Sequence, residues 1–267
     1  SPRLELCELL KLVARHEVEL LFCDQGREPK IIEPFGQILF PYHKMGAVDS
    51  LNLFDIDELI IFSFYWVNRN RYKKVLDIGA NLGLHSLVLS KCGYDVMSYE
   101  PDPTHFDILK SNVEANRCGN VTIFNAAVSN KVGTVEFIRV LGNSTSSHIA
   151  GSKANPYGEL EKFLVQVENI DSILSDIDLV KLDAEGHEKE IILATKKEHW
   201  MKIDAMIEIE NKDNALVIFD HFRSMNINMF AQKLNWKMVS SAEDMPFSYK
   251  DGSLFVSSKE SMPWNVD

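Results

Sequence analysis

The sequence predicts an α/β fold: a three-layer doubly wound sheet of about seven strands with a terminal antiparallel hairpin, preceded by a small N-terminal α+β layer. Three observations predict it. From Lys74 onward, short apolar runs and helical runs alternate as strand, helix, strand, helix, strand. Parallel strands joined by right-handed helical crossovers build such a sheet. The first strand ends in Asp77-Ile78-Gly79 and the second in Glu100-Pro101-Asp102-Pro103, which gathers polar groups at one sheet edge. The chain has 267 residues, 45% of them hydrophobic, enough for one large core.

The elements follow in order. Leu4 to Phe22 carries Leu6, Leu9, Leu10, Val13 and Val18 with charges between them, the spacing of an amphipathic helix. Ile31 to Phe40, broken by Pro34 and Gly36, reads as a hairpin. Asp55 or Asp57 caps a helix running through Phe62 to Val67. Residues 1–72 thus form an N-terminal extension with no evident chemistry, expected to cover a ligand, contact substrate or provide a homodimer surface. Residues 73–267 form the ligand-binding domain. Its strands are Val75–Ile78, Asp95–Tyr99 and Val121–Phe124, and its helices Leu84–Lys91, closed by Gly93, and Thr104–Arg117.

Val135–Val140 and Phe163–Val167 read as strands flanking a polar insertion that holds Ser144, Thr145, Ser146, Ser147, His148, Asn155, Pro156, Tyr157 and Gly158. That insertion is a candidate lid or acceptor-binding loop. A strand over Asp178–Leu182 ends at Asp183, and a helix spans Glu188–Ala194. A strand over Ala205–Ile209 and a helix over Ala215–Met225 follow. Trp236–Val239 and Leu254–Val256 have only a loop with Pro246 and Gly252 between them, which predicts the terminal hairpin.

Composition removes several function classes. The net charge of −11 and the absence of a dense Lys/Arg run argue against a nucleic-acid partner. Cys7, Cys23, Cys92 and Cys118 form no Cys-x-x-Cys pair and no metal-ligand spacing, so they read as reduced thiols of a cytoplasmic protein. No obligatory metal is expected. The apolar stretch Leu59–Val67 is too short to span a bilayer, and no membrane partner is expected. The start, Ser1-Pro2-Arg3, has no signal-peptide pattern; without an initiator Met, it leaves room for residues upstream.

The loop Asp77-Ile78-Gly79-Ala80-Asn81-Leu82-Gly83 leaves a strand and enters a helix, placing a ligand at the carboxyl edge of the sheet. A dinucleotide fingerprint wants Gly-x-Gly-x-x-Gly; here those positions hold Gly79, Asn81 and Leu84, so a pyrophosphate has no easy place. Asp77 suits an ammonium or sulfonium better than a phosphate. Glu100, some twenty residues on, can accept both hydroxyls of a ribose. Together these favour an adenosyl cofactor without phosphates.

The run Val75 to Ser86, with His85 and Ser86 opening its helix, resembles the cofactor motif of the FkbM-type methyltransferases. Tyr99-Glu100-Pro101-Asp102, Asn125-Ala126-Ala127-Val128-Ser129 and Val180-Lys181-Leu182-Asp183-Ala184-Glu185-Gly186-His187-Glu188 resemble three further segments of that family, over about Val75 to Glu210. The resemblance implies a seven-stranded sheet with a reversed last strand and S-adenosylmethionine as methyl donor. It places the amino-acid end of that cofactor near Asp77, Gly79, Ala80, Asn81 and Gly83, with the ribose at Glu100 and the adenine near Pro101, Asp102, Asn125 and Ala126. It implies a hydroxyl acceptor on a saccharide or other small metabolite.

Transfer to a hydroxyl needs positioning and a base. Asp183, at the end of an apolar strand, is the leading candidate base and also borders the cofactor. Glu185, His187 and Glu208 are further candidate catalytic groups; Glu208 is a carboxylate in an apolar strand, a costly placement outside a site. Glu188 either faces the cleft or opens the next helix, where negative charge is favourable. His85 fills space above the cofactor. Competing readings are a non-catalytic cofactor-binding module and an NAD-dependent oxidoreductase; the missing glycines and the absence of a Tyr-x-x-x-Lys pair argue against the latter.

Overall fold

The computed structural model describes residues 2–22, 28–45, 48–141, 147–152 and 159–264. Cys23, Ser144, Thr145, Ser146, Asn155, Pro156, Tyr157 and Gly158 lie outside the described residues. Helix α1 (Pro2–Leu21) leads into two hairpins, β1 (Lys30–Ile32) with β2 (Gly36–Ile38) and β3 (Lys44–Met45) with β4 (Val48–Asp49), and then α2 (Ile56–Val67). Asp55 caps α2 by accepting from Asp57 N and Glu58 N. No helix among the described residues is long and apolar enough to cross a membrane.

The predicted alternation follows as β5 (Lys74–Ile78), α3 (Leu84–Lys91), β6 (Asp95–Tyr99), α4 (Pro103–Ala115) and β7 (Val121–Phe124). The chain then builds a side sheet from β8 (Ala127–Ser129), β9 (Gly133–Leu141), β10 (His148–Ile149) and β11 (Glu159–Asn169), in the order β10-β9-β11-β8. A short turn α5 (Ile170–Ile173) returns it to β12 (Leu179–Leu182). Next come α6 (Glu188–Leu193), α7 (Lys197–Trp200), β13 (Asp204–Ile207), α8 (Lys212–Ser224), β14 (Asn228–Ala231), β15 (Lys237–Met238) and β16 (Leu254–Ser257).

Among the described residues the main sheet has eight strands in the order β15-β14-β16-β13-β12-β5-β6-β7. The five from β13 to β7 are parallel. β16 runs antiparallel to both β13 and β14, which confirms a reversed last strand. The terminal hairpin needs correcting: the two predicted segments do not pair with each other. β15 pairs with β14, and β16 inserts between β14 and β13. The long loop between β15 and β16 lets the chain step over a strand instead of turning back beside it.

Apolar side chains pack on both faces, and strand alternation decides which. Val75, Val96, Leu179 and Met206 point to the face covered by α2, α3 and α4. Leu76, Ile78, Val180, Leu182 and Ile207 point to the face covered by α6 and α8. The same alternation sends Asp77, Ser98 and Lys181 to the α2/α3 face, where Lys181 and Ser98 flank Asp77 in register. Helix α1 departs from its reading: Val18 and Phe22 enter the core, but Leu9, Leu10 and Val13 of the expected buried stripe are exposed.

Candidate active site

A cleft opens over the carboxyl ends of β5, β6 and β12, with about 610 Å³ of empty space including its open mouth. Its floor is the β5–α3 loop. Gly79 has φ +76° and Gly83 φ +89°. A Cβ on Gly79 would fall 1.8 Å from the carbonyl oxygen of Asp183, so only glycine lets this loop pass under the end of β12. Gly79 N and Ala80 N both donate to Tyr99 O at 3.0 Å, tying the loop to β6.

Glu100 is buried at the centre of the cleft. Its carboxylate accepts Asn81 N and Asp102 N, each at 2.8 Å. Burial pushes its pKa up to about 8, against the pull of these two N–H groups. Asn81 lines the same wall at φ +51°, and its buried Oδ1 has no hydrogen-bond partner among the described residues.

Of the residues predicted to hold a cofactor, Gly79, Asn81, Glu100, Pro101, Ala126 and Asp183 line the cleft. The others stand behind it. Asp77 is fully buried and accepts Ser86 Oγ at 2.7 Å, and Ser86 meets Ser98 at 2.8 Å. Ala80 is buried, and Gly83 packs against Leu109. Asp102 does not face the cleft: it caps α4, accepting Thr104 N, and binds the Arg139 guanidinium through both oxygens at 2.7 and 2.5 Å. Asn125 is exposed and donates to the carbonyls of Glu100 and Pro101. His85 does not line the cleft either; its Nδ1 lies 3.0 Å from the Tyr65 hydroxyl and its Nε2 2.9 Å from Glu58.

The predicted catalytic residues divide similarly. Asp183, Glu185 and His187 line the cleft, and the Asp183 side chain is 32% exposed. Glu185 sits at φ +50°, next to Gly186 at +97°, which completes the tight turn after β12. Glu188 shapes that turn from below. It accepts Ala184 N, Gly186 N and Asn214 Nδ2 while opening α6, and burial raises its pKa to about 7. His187 is engaged at both nitrogens, Nε2 at 2.8 Å from Ser129 Oγ and Nδ1 at 3.1 Å from Ser152 Oγ. Burial lowers its pKa, against the pull of Glu190.

Lys181 links the two strand-end aspartates. Its Nζ donates to Gly79 O at 3.0 Å and stands 3.6 Å from both Asp77 and Asp183. Burial would lower its pKa, but Asp183, Asp77, Glu58 and Glu208 outweigh that and hold it above its ordinary value, as an ammonium. Glu208, outside the cleft lining, is pushed well up by burial and then by the charges of Asp183, Glu58 and Glu185. Glu58 goes the other way: burial would raise it, but His85 and Lys181 hold it below the usual carboxylate range.

Sequence reasoning missed Glu58, and with it the contribution of the N-terminal extension to this group. In the first turn of α2 it reads as an ordinary acidic partner of the helix dipole. It also missed most of the far wall of the cleft, which comes from α4 and the side sheet: His105, Phe137 and Ile149; Ser147, expected in a lid or acceptor-binding loop, lines the same wall.

Methyltransferase sdnD of Sordaria araneosa is 26% identical over 159 residues, 47% of this chain and 61% of that protein, so the chain matches less than two thirds of its relative's length. The delta-N METTL16 MTase domain is a similar solved structure, with 15% identity, 94% of this chain and 100% of that one covered, and a TM-score of 0.48. Precorrin-6y C5,15-methyltransferase from Geobacter metallireducens GS-15 is another, at 14% identity, coverage of 74% and 84%, and a TM-score of 0.41. The Methyltransferase FkbM domain matches residues 77–229, more than half of the sequence, and the chain therefore belongs to the FkbM methyltransferase family.

Proposed function

We propose that this protein transfers a methyl group from S-adenosylmethionine to a hydroxyl of a saccharide or other small metabolite. The observation that carries the reading is the crossing of Gly79 and Asp183 within one cleft, with buried Glu100 on one side and solvent-open Asp183 on the other. The residues fit the cofactor. The glycine cradle leaves room for close backbone approach, Glu100 suits a ribose diol, and the orphaned Asn81 Oδ1 suits an ammonium donor. When bound, the cofactor supplies an electrophilic methyl carbon on a sulfonium.

The chain's own residues supply the rest. Glu100 and Asn81 hold the donor, and the Gly79–Asp183 crossing sets where the acceptor meets it. Asp183 takes the hydroxyl proton, with the Lys181 ammonium beside it steadying the carboxylate. Glu208, whose carboxyl is pushed up by burial and by the charges of Asp183, Glu58 and Glu185, stands behind the cleft lining and is given no contact with the acceptor. The acidic acceptor side and the net charge of −11 favour an uncharged polyol over a phosphorylated or nucleic-acid acceptor.

The test is calorimetric titration with S-adenosylhomocysteine, followed by transfer of radiolabelled methyl to a panel of sugars and hydroxylated metabolites. Micromolar binding that Glu100→Ala weakens, with label on a hydroxyl that Asp183→Asn suppresses, is the expected result. No binding would overturn the donor assignment, and label on nitrogen or carbon would overturn the acceptor assignment.

A further inference from the structure

The N-terminal extension reaches the carboxyl edge of the main sheet through the first turn of α2. Tyr72, shortly past the far end of that helix, donates to Asp204 at the start of β13, so α2 runs from the carboxyl edge back to the amino edge. Its first turn is tied at two points. Gln232, the residue after β14, donates through Nε2 to Asp57 at 2.7 Å. Glu58 Oε2 stands 2.9 Å from Nε2 of His85, the second residue of α3. Helix α3 follows β5, and β16, β13 and β12 lie between β14 and β5. The turn therefore spans the ends of β13 and β12, where Glu208 and Asp183 follow their strands.

Glu58 is held from behind. Phe62 and Tyr65, both of α2, meet the His85 ring edge-on with centroids 5.0 and 5.9 Å away, and fix its plane. Burial keeps the Tyr65 hydroxyl protonated, 3.0 Å from Nδ1. All three groups are satisfied when Tyr65 donates to Nδ1 and Nε2 donates to Glu58. The carboxylate is thereby aimed, and 26% of its side chain is left open to solvent. Its charge acts on Lys181 and on Glu208, the same two groups that Asp183 acts on. Asp183 has the cleft on one flank and this group on the other.

We propose that Glu58 is an acceptor-binding residue: it accepts a hydrogen bond from a second hydroxyl of the substrate while Asp183 receives the one to be methylated, with His85 and Tyr65 as positioning residues behind it. The assignment rests on the hydroxyl-acceptor reading above and narrows it to a vicinal diol. Both carboxylates act on the one Lys181 ammonium, which suits hydroxyls on adjacent ring carbons. A site built to receive a hydroxyl discriminates strongly against the analogue that lacks it, because its own polar group is then left unpaired. The extension thus takes part in choosing the acceptor.

The experiment uses the whole chain, labelled S-adenosylmethionine and a panel of hexoses and inositols, with each accepted polyol compared against its monodeoxy forms. Glu58→Gln is expected to raise the acceptor KM about tenfold and to leave kcat and S-adenosylhomocysteine binding within about twofold. One monodeoxy form should lose as much in the parent but little more in Glu58→Gln, since both changes remove the same bond. Glu58→Asp, which keeps the charge, controls for folding and should lose less. His85→Ala should raise KM several-fold, and His85→Gln, whose amide can donate where Nε2 does, should restore part of it. A loss of S-adenosylhomocysteine affinity as large as the rise in KM would make Glu58 a scaffold residue and overturn the assignment. So would an unchanged KM in Glu58→Gln, or losses that add for every monodeoxy form. If label reaches no hydroxyl in the panel, the acceptor reading fails first and this assignment falls with it.

Discussion

Two parallel strands, β5 and β12, lie side by side, and each carries an aspartate at its carboxyl end. Asp77 and Asp183 stand at the same 3.6 Å from one ammonium, Lys181. They have opposite fates. Asp77 is sealed beneath α3 with Ser86, while Asp183 is one residue past its strand and open to the cleft. The lesson is positional. A carboxylate one residue inside a strand is covered by the following helix and serves the scaffold; one just beyond the last strand residue escapes that cover and is free for chemistry. Lys181 couples the two, so the same charge that fixes the scaffold also steadies the site.

The strongest way to break this comparison is to force the two loops apart. Gly79→Ala would drive a Cβ into the Asp183 carbonyl at a backbone angle that favours glycine, and should cost about 3 kcal/mol or more in urea unfolding and abolish S-adenosylhomocysteine binding. Asp77→Ala removes the buried carboxylate that Lys181 and Ser86 share, leaving Lys181 with Gly79 O and Asp183 and Ser86 with Ser98. It should destabilise by about 3 kcal/mol in the same measurement, as breaking buried ion pairs does. Asp183→Asn separates the aspartates most cleanly, with stability changing by less than about 1 kcal/mol and methyl transfer falling about a hundredfold or more. If Asp77→Ala proved mild in unfolding and Asp183→Asn severe, the division into scaffold and chemistry would be reversed.

A subtler probe leaves both aspartates in place. Glu188→Gln sets an amide against the Asn214 amide and loosens the Asp183–Gly186 turn, at about 1–2 kcal/mol. The smallest effect concerns pH. Glu100 has its folded pKa raised to about 8, above an ordinary carboxylate, so the folded state holds a proton that the unfolded state has released. Its stabilising contribution is complete below the unfolded value and is lost as pH rises through about 8. Unfolding free energy should therefore fall from about pH 5 to about pH 8, by at most about 1.4 kcal/mol per pH unit from this group, and level off above that. Glu188 acts in the same direction near 7. Glu100→Gln should flatten the slope, and an unchanged slope would remove Glu100 as its source.

The β5–α3–β6–α4–β7 run was legible because each element is short, local and closed by its own turn residues. Gly93 and Asp102 punctuate it without help from the rest of the fold. Glu100 and Asp183 were legible for the same reason, since strand ends are local features. The far wall was not. Phe137 faces the cleft only because β9 pairs with β11 across residues 133–167 and β11 with β8, contacts that periodicity does not report. Asp102 was misplaced because Arg139, thirty-seven residues on, claims its carboxylate. The Asp77 burial and the Lys181 bridge were concealed by register: each looks like a lone polar residue until β5 and β12 are aligned. The α1 stripe misled because periodicity marks an apolar face without naming what covers it; Leu12 and Leu20 are exposed there too.

The insertion of β16 between β13 and β14 has a consequence for how the protein is made. A ribosome delivers β13 and β14 well before Leu254; β13 can pair with β12 and β14 with β15, but each lacks its second neighbour until that strand emerges. Until then the nascent sheet carries two open edges beside Glu208, while β5, β6 and β7 already have their partners. The parallel strands β13, β12, β5, β6 and β7 can therefore pair during synthesis, and the sheet closes around β16 only near its end. The last strand thus times the closure of the sheet, and translation that pauses before it would leave β13 and β14 each with one edge open.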